Sequence, residues 1–106
     1  MKKCYPNYYD AADNPFLYFR AWNHNPSTTF DSNDFFTAID NLKLPSVSFV
    51  KPLGIHSERP VASDLTDGQA FVNSVVQAIS TSDHYYLKTL ILIAHDDSGG
   101  YICRIV

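Results

Sequence analysis

Apolar residues recur at helical spacing in two stretches of this chain and run together in two others, and the contrast sets the expected architecture. Phe35, Phe36, Ile39 and Leu42 fall on one helical face, so a short helix through Asn41 is expected, capped by Ser32 or Asn33. That face is expected to pack on a sheet. Thr66 followed by Gln69 reads as a capping box, and Phe71, Val72, Val75, Val76 and Ile79 continue it as an apolar stripe, which predicts a helix over Asp67 to Ile79. Asn14 before Pro15 predicts a further short helix from Pro15 towards Trp22, because proline at the first helical position loses no hydrogen bond.

The two other stretches carry a strand signature. Val47, Phe49 and Val50 are β-branched or aromatic, are introduced by Pro45 and are stopped by Pro52 and Gly54. Thr89 to Ala94 is continuously apolar, the pattern of a strand covered on both faces. A strand, helix, strand order implies a right-handed parallel crossover. The expected fold class is therefore α/β, part of a parallel sheet with a β-α-β unit over 46–97, preceded by an irregular arm over 1–14 and short helices over 15–42. A last strand is expected over 101–106. His95 through Gly100 would then leave the carboxyl end of a buried strand, where open α/β sheets gather ligands.

Composition narrows the function. With 106 residues the chain can enclose one core, and 8 basic against 11 acidic side chains give no basic excess, so nucleic acid is not an expected partner. No apolar stretch approaches the roughly 20 residues that cross a bilayer, and Met1-Lys2-Lys3 leads into polar residues, so neither a transmembrane segment nor an export signal is expected; as written, the chain reads as cytoplasmic. Cys4 and Cys103 lie almost a chain length apart without metal-knuckle or redox spacing; free thiols are favoured over a disulfide, with pairing left open.

Among residues that carry chemistry, Asp96 and Asp97 stand out. Adjacent carboxylates repel, and holding both ionised at a strand end is favourable chiefly when a cation compensates them, so they are candidate ligands of a hard divalent metal ion. The competing reading is a solvated Asp-Asp-Ser-Gly-Gly turn. Lys51, His56, Glu58 and Arg59 sit in the loop after the first expected strand, where a cation pair beside carboxylates suits a phosphate ester; each taken alone also reads as ordinary surface polarity. His24, His84 and His95 show no ligand spacing and read as surface or interface residues. The aromatic-rich start, Tyr5 to Trp22, suits core packing more than a lipid or sugar site. No serine stands in a nucleophile context.

The string Leu44-Pro45-Ser46-Val47-Ser48-Phe49-Val50-Lys51-Pro52, then Gly54, Glu58 and Pro60, then Leu65, Gly68-Gln69 and Val72, and finally Asp96-Asp97-Ser98-Gly99-Gly100 resembles the bacterial phosphoesterase family of phospholipases C and related acid phosphatases. Asn14-Pro15-Phe16 with Tyr18-Phe19 resembles its His-His-x-Pro-Phe-x-Tyr segment. The resemblance implies an alkaline-phosphatase-like α/β fold, Asp96 and Asp97 as metal ligands, supporting roles for Glu58 and Lys51, and hydrolysis of a phosphoester small molecule or phospholipid headgroup. It also implies a family that is often exported, and an N-terminal half with Glu-Asn ligands and a Ser or Thr nucleophile that would precede residue 1. Family histidine positions hold other residues here: Ala12-Asp13, Arg59 after Glu58, and Cys103-Arg104. Arg59 and Arg104 retain the charge to clamp a phosphate but not the proton exchange of histidine. Two functions are therefore expected to compete: a metal-dependent phosphoesterase that needs a missing segment or a partner chain, and a non-catalytic remnant acting as a phosphate-ligand binding or structural module. A short sheet with open edges further suggests a homo-oligomer.

Overall fold

The computed structural model describes residues 14–21, 30–58 and 63–95. The chain divides into two compact units, Met1–Leu53 and Gly54–Val106.

In the first unit a 3-10 turn spans Pro15–Tyr18, with Asn14 as its cap: the Asn14 Oδ1 accepts from the Phe16 N–H at 3.0 Å. It stops short of the predicted extent because Phe19 is already extended. Helix α1, Ser32–Asp40, begins one residue before the expected caps, at Asp31. Asp31 Oδ1 accepts from the Asp34 N–H, and Asp34 Oδ2 accepts from the Asp31 N–H, both at 3.0 Å, so the helix start is closed by a reciprocal pair of aspartates. Ile39 is buried, and the Phe35 and Phe36 rings meet edge to face at 5.3 Å.

The end of α1 corrects one expectation. Leu42 does not continue the apolar stripe; it stands past the helix in the left-handed region, at φ 56°, and is exposed. The Lys43 N–H donates to Ala38 O at 2.8 Å and the Leu42 N–H to Ile39 O at 3.0 Å, the double closure of a Schellman turn. Glycine usually fills that position, because a side chain there costs on the order of 1 kcal/mol.

In the second unit, Gly54–His56 forms a 3-10 turn whose first carbonyl accepts from the Ser57 hydroxyl at 2.9 Å. Helix α2, Leu65–Ser80, contacts this turn. Its cap is Asp64, whose carboxylate accepts from the Thr66 N–H at 3.3 Å, rather than the Thr66 and Gln69 pair. The helix therefore starts earlier than predicted, and Ile79 on its apolar stripe is buried. Beyond α2 the chain makes tight turns: the Tyr86 N–H donates to Ser82 O at 2.8 Å, and Leu87 is left-handed at φ 60°.

Among the described residues none is in a strand, which overturns the parallel α/β fold, the β-α-β crossover and with them the alkaline-phosphatase-like architecture. Phe49 is 97% exposed, Leu90 and Leu92 are each 82% exposed, and among the described residues no backbone hydrogen bond pairs the main chain of 90–94 with a neighbour. Their composition favours an extended backbone, but a strand exists only when a neighbour accepts and donates across it. The arm over residues 1–13 and the strand expected over 101–106 lie outside the described residues. Among those described, no helix is long and apolar enough to cross a membrane.

Candidate functional site around Glu58

In the second unit one candidate residue, Glu58, meets a second polar side chain. Glu58 ends the loop that follows the 3-10 turn and adopts a left-handed backbone, φ 58°, although it is not glycine. That conformation turns its side chain onto the first turn of α2, over Gly68, which is buried. A Cβ at Gly68 would overlap Glu58 Cγ and lie 2.8 Å from both Cδ and Oε1, so the close approach depends on Gly68 having no side chain. The obstacle is the Glu58 side chain from Cγ outward, which would have to shift to admit a side chain at that position.

The position also suits the charge. The amino end of a helix carries a partial positive charge from its unpaired N–H groups, and a carboxylate beside it is stabilised by roughly 0.3–1 kcal/mol. Asp64 as the cap and Asp67 in the first turn use the same field. Glu58 thus lies over the first turn of α2, in the space that Gly68 leaves open.

Its polar partner is His95. Nε2 of the imidazole lies 3.4 Å from Glu58 Oε2, with the histidine side chain 50% exposed and the glutamate side chain 16% exposed. The carboxylate is thus largely withdrawn from water, and the imidazole reaches it from the outer side. The sequence alone assigns His95 to the surface, because its partner is remote in the chain. The nearest signal it offers is that Glu58 and the segment His95-Asp96-Asp97 both belong to chemistry-bearing stretches.

The other residues singled out from the sequence divide plainly. Lys51 is exposed and belongs to the first unit, in an extended stretch after Val50. His56 is half-buried at the end of the 3-10 turn. Arg59, Asp96, Asp97 and Arg104 lie outside the described residues. His84 stacks edge to face on Tyr85, with ring centres 4.7 Å apart, consistent with a packing role. Among the described residues no group of three or more His, Cys, Asp or Glu side chains converges.

Glu58 and Gly68 both belong to the stretches on which the family resemblance rests, and the structure brings these two together. No solved structure matches the chain. The model of the Phosphoesterase family matches residues 1–104, almost the whole sequence, and the chain therefore belongs to the phosphoesterase family, with its hydrolase resemblance at the level of that family.

Proposed function

We propose that this phosphoesterase-family chain binds phosphorylated ligands without hydrolysing them. The observation that carries the reading is the exchange of histidine for a permanent cation next to the best-held carboxylate: the residue after Glu58 is Arg59 where the resembling motif has Glu-His-Pro. At Cys103-Arg104 an arginine again stands at a family histidine position, while at Ala12-Asp13 the histidines are lost without a cation in their place. Phosphoryl transfer asks for groups that exchange protons near neutrality, which imidazole does and guanidinium does not. Guanidinium instead offers two parallel donors to a pair of phosphate oxygens. The substitutions therefore keep affinity for a phosphate and remove the means of passing a proton to or from it.

The ligand class is a phosphate ester, whether a small soluble phosphoester or a phospholipid headgroup. Arg59 and Arg104 are its clamps, and Asp96 with Asp97 form the carboxylate pair through which a divalent ion would bridge to the phosphate. Titration with glycerol phosphate, and with vesicles carrying phosphatidic acid, separates the two sources. We expect saturable binding that falls roughly tenfold or more in Arg59→Ala, in line with the loss of a charge-assisted pair. p-Nitrophenyl phosphate should remain unhydrolysed with added divalent metal. Turnover that disappears in Asp96→Ala, Asp97→Ala would overturn this reading in favour of a metal-dependent phosphoesterase, and absence of phosphate binding in the folded chain would refute it directly.

A further inference from the structure

Residues 89–94 form an uncharged run with one positive and one negative end: Lys88 precedes it, and Asp96-Asp97 follow it after His95. The run is tied at both ends within its unit. The Thr89 hydroxyl and the Lys88 N–H each donate to Tyr85 O at 3.1 Å, and His95 reaches Glu58 at 3.4 Å. Between these ties the chain belongs to no helix or turn, and among the described residues no backbone hydrogen bond pairs 90–94 with a neighbour. Leu90 and Leu92 are exposed while Ile91 between them is half-buried, the alternation of a strand with one face turned outward.

We propose that this run is a self-pairing edge, and that two copies of the chain join their 90–94 segments as antiparallel strands about a two-fold axis at Leu92. Charge selects both the partner and the direction. With Leu92 across from Leu92, position 88 of one copy faces position 96 of the other, so Lys88 meets Asp96 at each end of the ladder. A parallel pair in register would set Lys88 against Lys88 and Asp96 against Asp96, and like charges directly opposite repel. The antiparallel register also places Leu90 beside Ala94 and Ile91 beside Ile93, apolar against apolar throughout. Such a pair is isologous and closes at two copies. It gives partners to the main-chain N–H and C=O groups and leaves the outward face of Leu90 and Leu92 in water. One pair of short strands buries less than the roughly 1,000 Å² of a stable interface, so the association is reversible and depends on concentration. The inference goes beyond phosphate binding and does not rest on it.

Sedimentation of the 106-residue chain over a range of concentrations tests it. We expect a reversible monomer–dimer equilibrium whose dissociation constant rises roughly tenfold or more in Leu92→Lys, which sets two ammonium groups opposite each other at the axis. Lys88→Glu and Asp96→Lys should each weaken the dimer. An equimolar mixture of those two variants should restore it, because the acidic ends of one chain then meet the basic ends of the other. The register is read by oxidation with copper phenanthroline in a Cys4→Ser, Cys103→Ser background: Leu92→Cys should cross-link and Leu90→Cys should not, since only position 92 faces its own copy. Lys88, Leu90 and Leu92 are exposed, so circular dichroism of their variants should match the parent and separates loss of pairing from loss of the fold. A chain that stays monomeric at every concentration, a dimer indifferent to Leu92→Lys, or equal cross-linking at positions 90 and 92 would overturn the proposal.

Discussion

Helix α2 and the Thr89 to His95 stretch occupy the same compact unit and are both rich in apolar residues, yet they use those residues in opposite ways. In α2, Ile79 is buried and the side-chain hydroxyls of Ser74, Ser80 and Thr81 donate hydrogen bonds back to the carbonyls of Phe71, Val76 and Gln77. In the later stretch Leu90, Leu92 and Ile93 face water, and among the described residues no backbone hydrogen bond pairs the main chain of 90–94 with a neighbour. A helix closes its backbone bonds within a few residues of sequence, so α2 needs only one covered stripe. An extended segment closes none by itself. Among the described residues, apolar side chains find cover in the first region and are mostly exposed in the second.

The comparison is tested most severely at Ile79. Replacing it with alanine removes a buried side chain from one of the two buried hydrophobic positions among the described residues. Its surroundings are half-open and can partly collapse, so the loss should sit at the low end of the range for such truncations, about 2 kcal/mol. Urea unfolding followed by circular dichroism at the helix bands measures it. A loss indistinguishable from zero would mean that α2 gains no more from burial than the exposed stretch does.

Gly68→Ala should have a smaller effect, and a more local one. Overpacking of this kind costs about 1–3 kcal/mol, and the better helix propensity of alanine returns about 1 kcal/mol of it. A net loss of about 1 kcal/mol is expected, with Glu58 displaced from the helix end. Truncating the obstacle in Glu58→Ala, Gly68→Ala should turn the alanine neutral or favourable, because two residues in contact are not additive. If Gly68→Ala stabilises the chain on its own, the close approach of Glu58 is not a constraint.

These expectations also mark how far the sequence can be read. The helices are legible because their determinants are local: Asn14 before Pro15, the apolar stripe from Phe71 to Ile79, and aspartates or serines ahead of each start. Their beginnings are less so, since Asp31 and Asp64 compete with the polar side chains that follow them and, being charged acceptors, serve the helix end better. The family is legible from strings such as Leu-Pro-Ser-Val-Ser-Phe-Val-Lys-Pro, and Glu58 is marked by them. The sheet is misread because the residues of 47–50 and 89–94 report a preference for extension, while pairing depends on a neighbour that no local pattern supplies. His95 escapes for the same reason, as nothing near it in sequence names Glu58 as its partner.

The smallest expected effect is also the sharpest test of the contrast. Leu92→Lys places a charge in the middle of the most apolar run of the chain. Were that run a strand covered on both faces, the substitution would bury an unpaired ammonium group, and the chain would lose several kcal/mol or fail to fold. With Leu92 at 82% exposure, the lysine head stays in water and stability should move by no more than about 0.5 kcal/mol in urea unfolding. The same change should raise the concentration at which the chain remains monodisperse in light scattering, because an exposed β-branched and aliphatic segment with unpaired backbone groups is a template for association and a lysine within it opposes stacking. Severe destabilisation together with loss of a defined oligomer would show instead that this face is covered by a second copy in solution. In that case the difference between α2 and the extended stretch would lie in where each finds its cover, within the chain or between chains.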